Sequence, residues 1–256
     1  MDLIIIPVLD DNYIWLLTEG NQAWVVDPGV AEPVLEALRA RGLTLAGILV
    51  THHHADHVGG VPQLRAATGA TVYGPALEPV PPPYQPLAGG ETLDALGLTW
   101  RVLAVPGHTA GHLAYYAQPP QQAPILFCGD TLFCAGCGRL FEGTPAQMLA
   151  SLDALAKLPE ATRVCCAHEY TLGNLRFAAA VEPDNAAIAQ HAAWCQQQRA
   201  QGLPTLPSTV ALERRINPFL RTREPTVIAA ARTHGADSAD AVAVLTALRE
   251  WKNIFS

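Results

Sequence analysis

Seven consecutive residues, Thr51-His52-His53-His54-Ala55-Asp56-His57, carry five side chains of the kind that bind metal ions, directly after the apolar run at residues 45–50. A loop this dense in ligands reads as one end of a metal site. In an extended segment, residues two apart point the same way. His52 and His54 can therefore share one ion while His53 turns aside, and Asp56 and His57 lie just beyond, available to a second. Expression tags are terminal and featureless, whereas this tract sits between a predicted strand and a predicted helix.

A site for two ions needs about seven protein ligands and a bridging water, so other segments must complete it. Three later ones have the right form. A strand ending at residue 106 runs into Gly107-His108-Thr109, residues 125–128 run into Gly129-Asp130, and residues 164–167 run into His168-Glu169. In layered α/β folds, sites are built from such strand-end loops. One histidine after a strand would read as an ordinary polar or capping residue; four ligand-bearing strand ends together read as a site.

Short apolar or β-branched runs at residues 3–8, 14–17, 23–26, 45–50, 71–73, 99–105, 112–117, 125–128 and 163–167 predict strands. Helical periods at 33–41, 61–68 and 145–157 fall between them, giving two sheets with helices outside. After Tyr170 the periods at 175–181, 185–201, 226–233 and 239–251 are all helical. The expected division is a metal-binding catalytic domain at 1–170 and a helical substrate-binding domain at 171–256. Residues 78–86 hold five prolines and read as an extended loop with no chemistry.

The 256 residues carry 16 Lys and Arg against 23 Asp and Glu, a net charge of -7 that offers no basic footprint for nucleic acid. The apolar run at 3–9 lacks a basic leader and contains Pro7, so it does not read as a signal peptide. No stretch approaches a membrane span. Six cysteines without regular spacing do not form a disulfide framework, and a reducing cytoplasm fits them. Cys134 and Cys137 have the spacing of a zinc or redox pair, but no second pair follows.

The segments at 51–57, Gly107-His108-Thr109, Cys128-Gly129-Asp130-Thr131 and Ala167-His168-Glu169-Tyr170 resemble the metallo-β-lactamase superfamily. The resemblance extends through Asp11-Asn12-Tyr13, Val26-Asp27-Pro28-Gly29, Ala135-Gly136-Cys137-Gly138-Arg139 and the tail Arg249-Glu250-Trp251-Lys252, which narrow it to glyoxalase II, the hydroxyacylglutathione hydrolases. It implies a four-layer αββα sandwich with a small all-α C-terminal domain. It implies that His52, His54 and His108 hold one metal, that Asp56, His57 and His168 hold a second, and that Asp130 bridges them, with Asp56 and Asp130 counted as catalytic. Asp27 and His112 would orient the ligating imidazoles. Arg139, Phe141, Tyr170, Arg249 and Lys252 occupy the glutathione-contact positions. Phe141 stands where many members carry Tyr, which removes one hydrogen bond to glutathione.

The chemistry implied is hydrolysis of the thioester S-D-lactoylglutathione to D-lactate and glutathione, the second step of methylglyoxal detoxification. Two divalent ions, zinc first, with iron or manganese also suited to these ligands, bridge a water and lower its pKa toward about 7. A thiolate, with a solution pKa of about 8.5, leaves without a strong acid. Arg249 and Lys252, three apart on a helix, are suited to clamp a carboxylate. A single-iron sulfur dioxygenase acting on glutathione persulfide is the nearest rival, and it would not require Asp56, His57 and His168 together. A monomer is expected, with no nucleic-acid or membrane partner.

Overall fold

The computed structural model describes residues 1–255, which divide into two compact units that are each discontinuous in sequence. The first comprises residues 1–104, 110–129 and 165–168; the second comprises 105–109, 130–164 and 169 onward.

The first unit opens with β1 (Asp2–Val8), β2 (Asn12–Glu19) and β3 (Gln22–Val26), an antiparallel meander. The chain then crosses through α1 (Glu32–Arg41) to β4 (Thr44–Leu49), and through α2 (Ala55–Val58) and α3 (Val61–Thr68) to β5 (Thr71–Pro75). From β3 onward the pairing is parallel, ending at the edge strand β6 (Gln85–Leu87). Pro86 is tolerated there because an edge strand leaves one row of N–H groups unpaired anyway. This strand begins within the last residues of the proline-rich segment at 78–86 that was expected to be a loop.

Val34 and Leu38 of α1 and Val61 and Leu64 of α3 bury against Ile14, Leu16, Val25 and Ile48 of this sheet. The apolar stripes of those helices meet the inward face of the strands, as the periodicities require. A second sheet carries β7 (Thr92–Ala95), β8 (Leu98–Ala104), β9 (Leu113–Ala117) and β10 (Ile125–Gly129), with β13 (Arg163–Cys166) as the next neighbour of β10. Trp15 joins the sheets, its ring 6.2 Å from that of Phe127 and its indole N–H donating to the Cys166 carbonyl at 2.9 Å. The Tyr115 hydroxyl donates to the Val50 carbonyl at 2.7 Å, which fixes the end of β4 where the histidine tract begins.

The second unit starts from a two-stranded hairpin, β11 (Leu132–Phe133) and β12 (Gly136–Cys137), and α4 (Pro145–Ala156), whose start is closed by a Thr144–Gln147 capping box. Helices α5 (Thr171–Val181), α6 (Ala186–Ala200), α7 (Val210–Ile216), α8 (Pro225–Thr233) and α9 (Ala241–Ile254) follow, with β14 (Ser208–Thr209) pairing with Arg163 and Val164. Asn217 donates to the carbonyls of Phe133 and Gly136, tying the hairpin to the end of α7. Phe177 packs against Phe219 and Trp251, drawing α5 and α9 together. No helix among the described residues is long and apolar enough to cross a membrane.

Candidate metal centre

Strands β3, β4 and β5 run parallel, so the loops after them emerge at one edge of the first sheet. They deliver Asp27, the tract from Thr51 to His57, and Glu78. Asp27 adopts a left-handed conformation, φ 52°, that few residues other than Gly, Asn and Asp accept. That turn aims its carboxylate back at the tract: it accepts from the Thr51 N–H and hydroxyl, both at 2.7 Å, and from His57 Nδ1 at 3.1 Å. Gly29 follows because the Asp56 carbonyl passes so near that a Cβ would lie 1.9 Å from its oxygen.

Within the tract His52 Nε2 and His54 Nδ1 lie 3.0 Å apart, while the His53 ring faces Glu78. The two-residue alternation therefore operates as the extended backbone requires. His112 stacks on His52, ring centroids 4.7 Å apart.

Asp56 Oδ2, His57 Nε2 and His168 Nε2 form a nearly equilateral triangle, with sides of 3.3, 3.4 and 3.4 Å. An ion held tetrahedrally at about 2.0–2.2 Å from each ligand requires ligand-to-ligand edges of about 3.3–3.6 Å, so the triangle has the dimensions of one coordination face. The far nitrogens support it. His57 Nδ1 donates to Asp27, and His168 Nδ1 donates to Asp11 at 2.8 Å. With their protons held there, both rings turn a bare lone pair toward the triangle. Two lone pairs and a carboxylate oxygen aimed at one point repel unless a cation lies between them. Burial pushes the Asp56 carboxyl up, but the His168 and His57 rings and the Asn12 amide, which donates at 2.9 Å, hold it well below the usual carboxylate range.

His108 and Asp130 belong to the second unit, where His108 Nε2 and Asp130 Oδ2 lie 3.5 Å apart. His108 Nδ1 donates to the Arg139 carbonyl at 2.8 Å, which again leaves Nε2 for a ligand. Arg139 thus supports His108 through its backbone. Phe141, 62% exposed, sets its ring edge-on to His108 at 5.3 Å, and half-exposed Tyr170 packs on Phe133.

Arg249 lies deeper than a solvated helix end would place it. It is 6% exposed, donates to the Cys137 carbonyl at 2.8 Å and lies over the Phe219 ring. Lys252 donates to the Gly173 carbonyl at 3.3 Å and lies over Phe177 and Phe255. Burial, followed by the charges of Arg249, Arg176 and Arg139, lowers its pKa to about 8. The charges of these three guanidiniums all act on Lys252, so this region favours an anion; Arg176 adds to the cations expected from the sequence.

Cys134 and Cys137 do not face a common partner. The Cys134 sulfur lies 3.5 Å from His191 Nε2, and Cys137 lies beside Arg249. All six cysteines are buried, and none is in a disulfide. Sequence reasoning missed the supporting roles of Asp11, behind His168, and Glu78, behind the tract, since single acids in a turn and in a proline-rich segment carry no periodic signal.

Comparison with known proteins places the chain in a family. Residues 8–168 match the Metallo-beta-lactamase superfamily, and residues 169–255 match the Hydroxyacylglutathione hydrolase C-terminus. A hydroxyacylglutathione hydrolase of Albidiferax ferrireducens is 60% identical over the full length of both chains. Among solved structures, ETHE1 from Myxococcus xanthus superposes with a TM-score of 0.65 at 27% identity, covering 88% of this chain and 86% of that one. TTHA1623, in a di-iron-bound form, gives 0.62 at 29% identity, covering 86% of this chain and all of that one.

Proposed function

The chain belongs to the metallo-β-lactamase superfamily and, within it, to the hydroxyacylglutathione hydrolases, and we propose on that basis that it hydrolyses S-D-lactoylglutathione to D-lactate and glutathione. The reaction serves as the second step of methylglyoxal detoxification in the cytoplasm. The Asp56–His57–His168 triangle, with edges of 3.3 to 3.4 Å and a carboxylate behind each imidazole, carries this reading. It is what a hydrolytic pair of ions needs beyond a single-ion centre.

Two divalent ions, zinc by preference, would supply a nucleophilic water that ionises near neutral pH and a Lewis acid for the thioester carbonyl. His52, His54 and His108 would hold one ion and Asp56, His57 and His168 the other, with Asp130 contributing to both. Asp27 and Asp11 keep the imidazoles in the tautomer that leaves Nε2 bare. On the substrate side, Arg139, Arg249 and Lys252 offer positive charge to the glutathione carboxylates, and Phe141 and Tyr170 offer ring surface. Residues 171–256 serve as the substrate-binding domain. A glutathione thiolate, pKa about 8.5, departs without a dedicated acid.

The test is release of free thiol from S-D-lactoylglutathione by the purified, zinc-loaded protein. Turnover that disappears with a chelator and returns with added ion is expected. Ion binding without turnover of this thioester would overturn the assignment.

A further inference from the structure

Glu78 is 5% exposed and opens the proline-rich segment at residues 78–86. A buried carboxylate is stable only where polar partners replace its lost water. Two of the partners of Glu78 are backbone N–H groups. Oε2 accepts from the His53 backbone N–H at 2.7 Å and faces His53 Nδ1 at 2.9 Å; Oε1 accepts from the Gly111 N–H at 3.0 Å. One carboxylate therefore ties the residue between His52 and His54 to the turn that precedes His112, the ring stacked on His52.

Its own backbone is held as well. The Glu78 carbonyl accepts from the Val80 N–H at 2.9 Å and the Tyr84 hydroxyl at 3.3 Å, and Val80 is buried. The prolines at 79, 81, 82 and 83 restrict φ on either side of Val80 and so limit how far this anchor can move. Gly111 fits the same contact: a Cβ there would stand 2.7 Å from Glu78 Cγ and 3.0 Å from Leu77 Cβ.

We propose that Glu78 is a positioning residue for the ion held by His52 and His54, fixing their spacing by clamping the backbone of His53 between them to Gly111. This rests on the assignment of those two histidines as ligands. The Asp56–His57–His168 triangle has its own supports in Asp11, Asn12 and Asp27, so the effect of Glu78 falls on one ion and spares the other.

The experiment is zinc competition with a chromophoric chelator on the full-length protein, wild type against Glu78→Ala, Glu78→Gln, Gly111→Ala and His53→Ala, with thermal unfolding of the metal-free forms alongside. Outer-shell partners of metal ligands are typically worth about 10–100-fold in affinity. Glu78→Ala should weaken one ion by about that factor and leave the second at its wild-type affinity. Glu78→Gln, which keeps one acceptor oxygen, should lose less, and His53→Ala, which keeps the backbone N–H, should bind both ions. If Glu78→Ala does not fold, Gly111→Ala should show the same selective loss with the carboxylate present. Equal weakening of both ions, unchanged affinity in the Glu78 and Gly111 variants, or a loss in His53→Ala as large as in Glu78→Ala would overturn the proposal. A wild type that binds no zinc fails the underlying site assignment and the proposal together, and shows it before any variant is compared.

Discussion

Around the histidine tract, support is supplied by carboxylates: Asp27 behind His57, Asp11 behind His168 and Glu78 behind His53, each within 3.1 Å. Helix α9 is built otherwise, its cations lying over Phe219, Phe177 and Phe255 and donating to backbone carbonyls. On the proposed function, the contrast follows from what each region would hold. A coordinated ion tolerates ligand positions only within about 0.2 Å, so the imidazoles are fixed by directional bonds to charged partners. A carboxylate of a flexible peptide is attracted over several ångströms, so a cation on an aromatic shelf suffices. Damage to the first region should appear as lost ions and lost kcat, and damage to the second as raised KM.

The largest effects test the first half of that contrast. His54→Ala and Asp130→Ala should each reduce kcat by on the order of 10³-fold or more, about 4 kcal/mol of transition-state stabilisation, with a fall in bound metal measured on the same samples. Either variant retaining both ions and substantial turnover would break the ligand assignment. Asp11→Asn removes the charge behind His168 without changing shape, and about 10–100-fold weaker ion binding is expected, read by chelator competition.

The second half is tested on α9. Lys252→Ala should raise KM roughly tenfold, the equivalent of a charge-assisted hydrogen bond of about 1.5 kcal/mol, with kcat and metal content kept. The effect should vanish for a small thioester lacking the glutathione carboxylates. Because the pKa of Lys252 is lowered to about 8, its charge is present below that pH and lost above it, so wild-type KM should rise as pH passes 8 while the KM of Lys252→Ala stays flatter. Arg249→Ala should also raise KM, but its buried bond to the Cys137 carbonyl means that its Tm should fall too. Loss of bound metal in Lys252→Ala would erase the distinction between the two regions. The smallest effect is assigned to His53→Ala, whose ring faces Glu78 and whose kcat should stay within about threefold of wild type, a difference of less than 1 kcal/mol.

Legibility in the sequence followed how local each signal was. The strand at β4 and the tract after it lie in consecutive residues, so two-residue alternation alone separates His53 from its neighbours. Helices α1, α3 and α4 were visible from their periods and N-terminal prolines. Strands β6 and β7 and helix α7 were not, because three to seven residues flanked by prolines or turns give too few repeats to establish a period. Glu78 and Asp11 act through partners 25 and 157 residues away, a separation that no local pattern encodes. The burial of Arg249 was hidden for the same reason: a helix-end arginine reads as solvated until its packing against Phe219 and its bond to Cys137 are seen.

Elemental analysis of the purified protein, with S-D-lactoylglutathione turnover measured on the same sample after reconstitution, tests the two-ion site most directly. Close to two divalent ions per chain are expected, with turnover rising as the second ion binds. A stoichiometry that stays at one in excess zinc, iron or manganese would contradict the account, because the Asp56–His57–His168 triangle would then have the dimensions of a coordination face without holding an ion.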